Sequence, residues 1–165
     1  MERLYTPWRL DYVSSEKEEG CIFCNRLESN DPEHFILHKS RNWFLVMNRY
    51  PYSNGHVLIV SNRHIGSLID CNDQEISDLA MLMKITETAV RKVYNPHGVN
   101  CGYNGGAGAG AGIPDHFHVH MLPRWNADTN FMTVIADTRV VPETLEKSFN
   151  NLKPVFDELL KGSEL

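Results

Sequence analysis

The feature that most constrains this chain is a run of strict alternation, His116-Phe117-His118-Val119-His120-Met121, closed by Leu122-Pro123-Arg124-Trp125. In an extended strand successive side chains point to opposite faces, so the three imidazoles share one face and Phe117, Val119 and Met121 the other. At a rise of roughly 3.3 Å per residue the imidazoles stand about 7 Å apart. One face is dry and packed, and the other carries three groups that titrate near neutrality. Just upstream, residues 104–115 hold five glycines and end in Ile113-Pro114-Asp115, a composition that rules out regular structure. A small-residue loop feeding a histidine strand is the candidate active site.

The rest of the composition bounds what that site belongs to. A chain of 165 residues, 42% hydrophobic and 22% charged, suits a single soluble domain over 1–165, with an irregular arm at 1–20. The net charge of −5 argues against a nucleic-acid surface, so no nucleic-acid partner is expected. No window approaches 18 consecutive apolar residues and the start lacks the apolar core of a signal peptide; no membrane partner and a cytoplasmic location are expected. Thiols stay reduced there. Cys21 and Cys24 have the spacing of a metal pair, while Cys71 and Cys101 stand alone.

Along the chain, Cys21-Ile-Phe-Cys24 reads as a tight turn into a short helix. Residues 35–38 and 43–47 read as a hairpin, and residues 56–60 as a well-buried strand rich in β-branched side chains. Asn72 followed by Glu75 fits a capping box, and the helix it opens should bury Ile76, Leu79, Ala80, Met83, Val90 and Val93. Pro96 should end that helix at Asn95. A strand over 98–103, the histidine strand and a last strand over 131–135 follow. Pro142 should begin a final helix that Pro154 kinks or breaks. Strands separated by one long helix predict an α+β fold with a mainly antiparallel sheet.

Three constellations could carry chemistry. A neutral imidazole on a rigid strand can attack phosphorus and form a phosphoramidate, and a neighbouring histidine can supply a proton. The glycine loop can turn backbone N–H groups toward an anion, although it lacks the ending of a P-loop and a flexible surface loop is the plainer reading. Cys21-x-x-Cys24 supplies two of the four ligands that a structural zinc needs, and equally reads as two reduced thiols in a turn.

These blocks together resemble the histidine-triad (HIT) family. His116-Phe-His-Val-His-Met-Leu122 is similar to its His-φ-His-φ-His-φ-φ signature, φ being apolar, and Asn48-Arg-Tyr-Pro51 with Gly55-His56-Val-Leu58 is similar to its strand-turn-strand block. Thr6-Pro-Trp-Arg9, Pro123-Arg-Trp125 and residues 128–132 resemble the branch that contains bacterial diadenosine tetraphosphate phosphorylases. The resemblance covers about residues 5–160. It implies a HIT-type fold, an antiparallel sheet of about five strands with one long central helix and a C-terminal helix, in a homodimer.

It also implies roles. His118 matches the nucleophile that attacks the α-phosphorus and carries the nucleotidyl group, and His120 the histidine that contacts the phosphate. Asn48 falls where the ribose is held, and Asn104, Gly110 and Gly112 where the phosphates are contacted. Cys21, Cys24, His64 and His116 match the ligands of a structural Zn2+ in zinc-bearing members. One departure stands out: members with a hydroxyl just before the triad use it on the leaving group, and here Gly112-Ile113-Pro114 offers none. The third triad position is His120 and not the Gln of the uridylyltransferase branch. The implied activity is cleavage at the α-phosphate of a nucleoside polyphosphate, chiefly a dinucleoside tetraphosphate, by hydrolysis or phosphorolysis. The alternatives are a nucleoside phosphoramidate hydrolase and a non-catalytic nucleotide-binding protein.

Overall fold

The two faces of the histidine run separate as the alternation requires, and the sheet is organised by that separation. The computed structural model describes residues 20–29, 31–126, 128–129, 133, 135, 140–163 and 165. Its elements are α1 (Ile22–Glu28), β1 (Ile36–Lys39), β2 (Trp43–Met47), β3 (Val57–Ser61), α2 (Asp73–Tyr94), β4 (Gly98–Gly102), β5 (His118–Arg124) and α3 (Leu145–Leu159). The strands form one sheet in the order β1-β2-β3-β5-β4, antiparallel at every pairing. The fold is α+β, as expected.

On one face Phe117 and Val119 join Trp43, Leu45, Met47, Val57 and Ile59 in a core capped by Leu79, Leu82 and Val90 of α2 and Leu152 and Phe156 of α3. On the other, Phe44, Val46, Leu58 and Val60 pack with Phe23 of α1. Val60 lies opposite His118 and Leu58 opposite His120. The catalytic candidates therefore stand on the α1 face, backed by a sheet whose other side is dry.

Asn72 and Glu75 do form the capping box, and Asn95 ends α2 in a left-handed conformation. The buried stripe differs from the expected one. Leu79 and Val90 are inside, but Ile76 is 39% exposed and Leu82, Thr86 and Ala89 take the inner face. Polar contacts at the N-terminus set this rotation. The Trp43 indole N–H donates to the Glu75 carbonyl, Arg63 grips the Glu75 carboxylate, and Asn42 donates to Asp78. Glu75 and Asp78 are buried as a result.

Three further expectations change. The regular strand begins at His118, so His116 lies just before it, in a turn closed by its N–H on the Ile113 carbonyl. Pro142 precedes the last helix, whose N-cap is Thr144, and α3 runs through Pro154 to Leu159. Of the strand expected over 131–135, only Thr133 and Ile135 are described, and both have helical geometry. Residues 1–19 of the arm expected over 1–20, and with them the Thr6–Arg9 block, lie outside the described residues.

Candidate active site

Each imidazole of the row is held by a different partner, and the partners decide which nitrogen is left for chemistry. His118 Nδ1 lies 2.7 Å from the His116 carbonyl oxygen. A carbonyl only accepts, so Nδ1 carries the proton and Nε2 keeps its lone pair. His118 is buried, 7% exposed, with the Phe23 ring centroid 5.0 Å from its own. Burial pulls its pKa below that of a free imidazole, only partly offset by the hydrogen bond to the His116 carbonyl, so burial keeps the ring neutral at pH 7.

His120 is set by a relay. The Tyr52 backbone N–H donates to His56 Nδ1 over 3.1 Å, so the His56 proton is on Nε2. His56 Nε2 is 3.0 Å from His120 Nδ1, which must accept. The proton of His120 is thus on Nε2, a donor on the site face of β5. Burial pushes His56 down to about 3, with His120 and His118 adding to the shift. Burial, then the proximity of His118, pushes His120 down to about 4. His56 is the functional residue that the sequence reading left out. The Gly55-His56 block was visible, but nothing in it announced a contact 64 residues away.

The turn that delivers His56 depends on glycine. Gly55 has φ +69°, and a Cβ there would meet the Tyr94 ring at 2.4 Å. Ser53 Oγ donates to the Pro123 carbonyl, tying the same turn to β5. Asn48 lies here too. Its amide nitrogen is 3.3 Å from His56 Nδ1 and its oxygen accepts the Tyr50 N–H, so it stands beside the relay.

The other end of the row is a cluster of Cys21, Cys24, His64 and His116, whose ligand atoms all lie within 4.8 Å of one another. His116 Nδ1 is 3.1 Å from Cys21 Sγ and 3.6 Å from Cys24 Sγ. His64 Nδ1 is 3.4 Å from Cys24 Sγ. A tetrahedral ion at ordinary Zn–S and Zn–N lengths needs donor–donor edges of about 3.3–3.8 Å, so the cage is close to size. His116 Nε2 donates to the Ser61 carbonyl over 2.7 Å, leaving Nδ1 deprotonated and aimed at the sulfurs. These four residues fit a metal ion.

The glycine loop completes the setting. β4 pairs with β5 only as far as Gly102 opposite His120, and the chain then leaves the ladder beside His118. The Asn104 amide donates to the Gly110 carbonyl over 3.4 Å, closing the loop on itself. Gly110 has φ +88°, a conformation that disfavours a side chain. Gly112 is exposed. Ile113 packs against the cluster around Phe23, so an apolar contact occupies the place just before the triad where other members carry a hydroxyl.

The site is an antiparallel sheet that presents a buried neutral imidazole between a Cys/His cage and a hydrogen-bonded histidine pair. The HIT domain model matches residues 28–127. The chain is 34% identical over 157 residues to "AP-4-A phosphorylase" of Mycobacterium tuberculosis, covering 88% of this chain and 79% of that protein. It is 31% identical over 129 residues to "Bis(5'-nucleosyl)-tetraphosphatase [asymmetrical]" of Schizosaccharomyces pombe, covering 78% of this chain and 65% of the other. Among solved structures, a Zn-bound histidine triad family protein from Mycobacterium smegmatis superposes with a TM-score of 0.69 at 23% identity, over 87% of this chain and 97% of that one. The chain belongs to the HIT family.

Proposed function

We propose that this chain is an enzyme that cleaves dinucleoside tetraphosphates at the α-phosphorus through a covalent nucleotidyl-histidine. The observation that carries the mechanism is the hydrogen bond from His118 Nδ1 to the His116 carbonyl, which frees Nε2. The Nε2 lone pair attacks the α-phosphorus and forms the N–P bond. The bridging P–O bond breaks, and its electron pair leaves on the terminal phosphate of a nucleoside triphosphate. An oxygen of water or inorganic phosphate then attacks the same phosphorus, the N–P bond breaks, and neutral His118 is restored. His120 donates from Nε2 to a phosphate oxygen while charge builds. Asn48 holds the ribose, and Asn104, Gly110 and Gly112 line the phosphates.

The four-ligand cage is a zinc site, and thiolate with imidazole is the donor set that zinc prefers. Four protein ligands would leave no open position, so a bound ion would neutralise two thiolates and cross-link α1 to the turn before β5. Reduced Cys21 and Cys24 suit the cytoplasm. β4 is a sheet edge whose residues 100–102 are exposed, and pairing with the same strand of a second copy would close it in a homodimer.

The test is to incubate the protein with diadenosine tetraphosphate, with and without phosphate, and identify products by mass. The similarity to the Mycobacterium tuberculosis protein favours phosphorolysis. ADP and ATP should form only with phosphate present. AMP and ATP in its absence would make it a hydrolase, and no product in either condition would overturn the proposal.

A further inference from the structure

Beyond His120 the site face of β5 continues through Leu122 to Arg124, and there it opens into a cavity of about 770 Å³. That volume lies in the range of about 300–1,000 Å³ typical of small-molecule sites. Its walls are Tyr50, Pro51, Tyr52 and Leu122, with Arg49 and Arg124 at the sides. Tyr52 joins the cavity to the reaction centre, because its ring stacks on His120 with centroids 5.9 Å apart and planes at 13°. Leu122 is four residues from His118, about 13 Å along the strand.

The two arginines differ in their availability. Arg124 is anchored, donating to Asp128 and to Asn100, each at 2.7 Å. Glu143, the acidic group on the wall, is likewise committed to Tyr94, Ser148 and Asn151. Arg49 is exposed and forms no ion pair among the described residues. The cavity thus offers apolar and aromatic surface for a base, an anchored guanidinium, and a second, exposed guanidinium with no ion pair among the described residues, for an anion.

We infer that this cavity binds the departing half of the substrate, a nucleoside triphosphate, with Arg49 on its phosphates and Tyr50 and Leu122 against its nucleoside. The inference rests on the proposed cleavage at the α-phosphorus. It makes the cavity the determinant of a preference for dinucleotides over mononucleotides with small leaving groups. The transferred nucleotide does not enter it.

Two substrates that deliver the same nucleotide to His118 separate the roles: diadenosine tetraphosphate, and adenosine 5′-(4-nitrophenyl) phosphate with its small leaving group. Arg49→Glu, at an exposed position, and Tyr50→Ala should each lower kcat/KM for the tetraphosphate by about tenfold or more, and for the nitrophenyl ester by less than about twofold. Equal losses on both substrates, or no loss on either, would overturn the inference. Turnover of neither substrate by the wild type would overturn the proposed function instead. The cavity is then judged by calorimetry with ATP: about tenfold weaker binding by Arg49→Glu supports it, and unchanged binding overturns it.

Discussion

The two ends of the histidine row are built from the same residue type and do opposite things. At one end His116, 1% exposed, gives its Nε2 proton to the Ser61 carbonyl and turns a bare Nδ1 to two sulfurs. At the other, His120 accepts at Nδ1 from His56 and presents an N–H on the site face. His118 stands between them and leans on the first end, because its own proton is held by the His116 carbonyl. In the proposed mechanism, what distinguishes a ligand, a nucleophile and a phosphate donor is which atom occupies the other ring nitrogen. A carbonyl, a backbone N–H or a neighbouring imidazole fixes the tautomer, and the tautomer fixes the chemistry.

Removing the middle member should have the largest effect. His118→Asn is expected to lower turnover by at least about a thousandfold while leaving circular dichroism and Tm near wild type. A nucleotidylated protein should be trapped by mass spectrometry in the wild type alone, and near-wild-type activity of the variant would remove His118 from its role.

The relay end comes next. His56→Gln should cost about ten- to a hundredfold in kcat, since His120 would lose the donor that orients it. The same residue governs a pH response. His56 and His120 are held near 3 and 4 in the folded chain, against about 6.5 unfolded. Between those values the unfolded state binds more protons, so stability is full above about pH 6.5 and falls as the pH drops toward 4. Tm should decrease by about 5 °C or more from pH 7 to pH 5, and His56→Gln should flatten the slope. An equal slope in the variant would show that the relay is not its origin.

At the cage end, Cys24→Ser should take bound metal from about one zinc per chain to none and lower Tm by about 10 °C. Folding and Tm unchanged without metal would break the comparison, since the two ends would then differ in decoration alone. The smallest effect is expected far from both. Asn72→Ala removes one cap of α2 and should cost about 1 kcal/mol, visible as a Tm shift of about 2–4 °C with kcat unchanged.

Legibility followed the range of the contacts involved. The hairpin, the capped helix and the alternating strand were readable because each depends on neighbours within a few residues. The four cage ligands were nameable through the family resemblance, and the geometry assembled all four. The inner face of α2 was misjudged by periodicity because Trp43, Arg63 and Asn42, distant in sequence, set the helix rotation. Pro154 was expected to disturb α3, yet the helix packs Leu152 and Phe156 into the core on either side of it. That packing outweighs the lost backbone hydrogen bond.

By itself, then, the sequence determined the alternation that sorts imidazoles from apolar side chains, the order of elements, and a site chemistry based on a neutral histidine. These are properties of adjacent residues and of the period-two geometry of a strand. Only the tertiary structure decided which nitrogen of each imidazole is free, that His56 completes the row, and that β5 leads past His120 into a cavity. Those depend on atoms brought together across 55, 64 and 70 residues of chain. Hydrogen-bond partners at such separations are chosen by the packing of the sheet, not by local pattern.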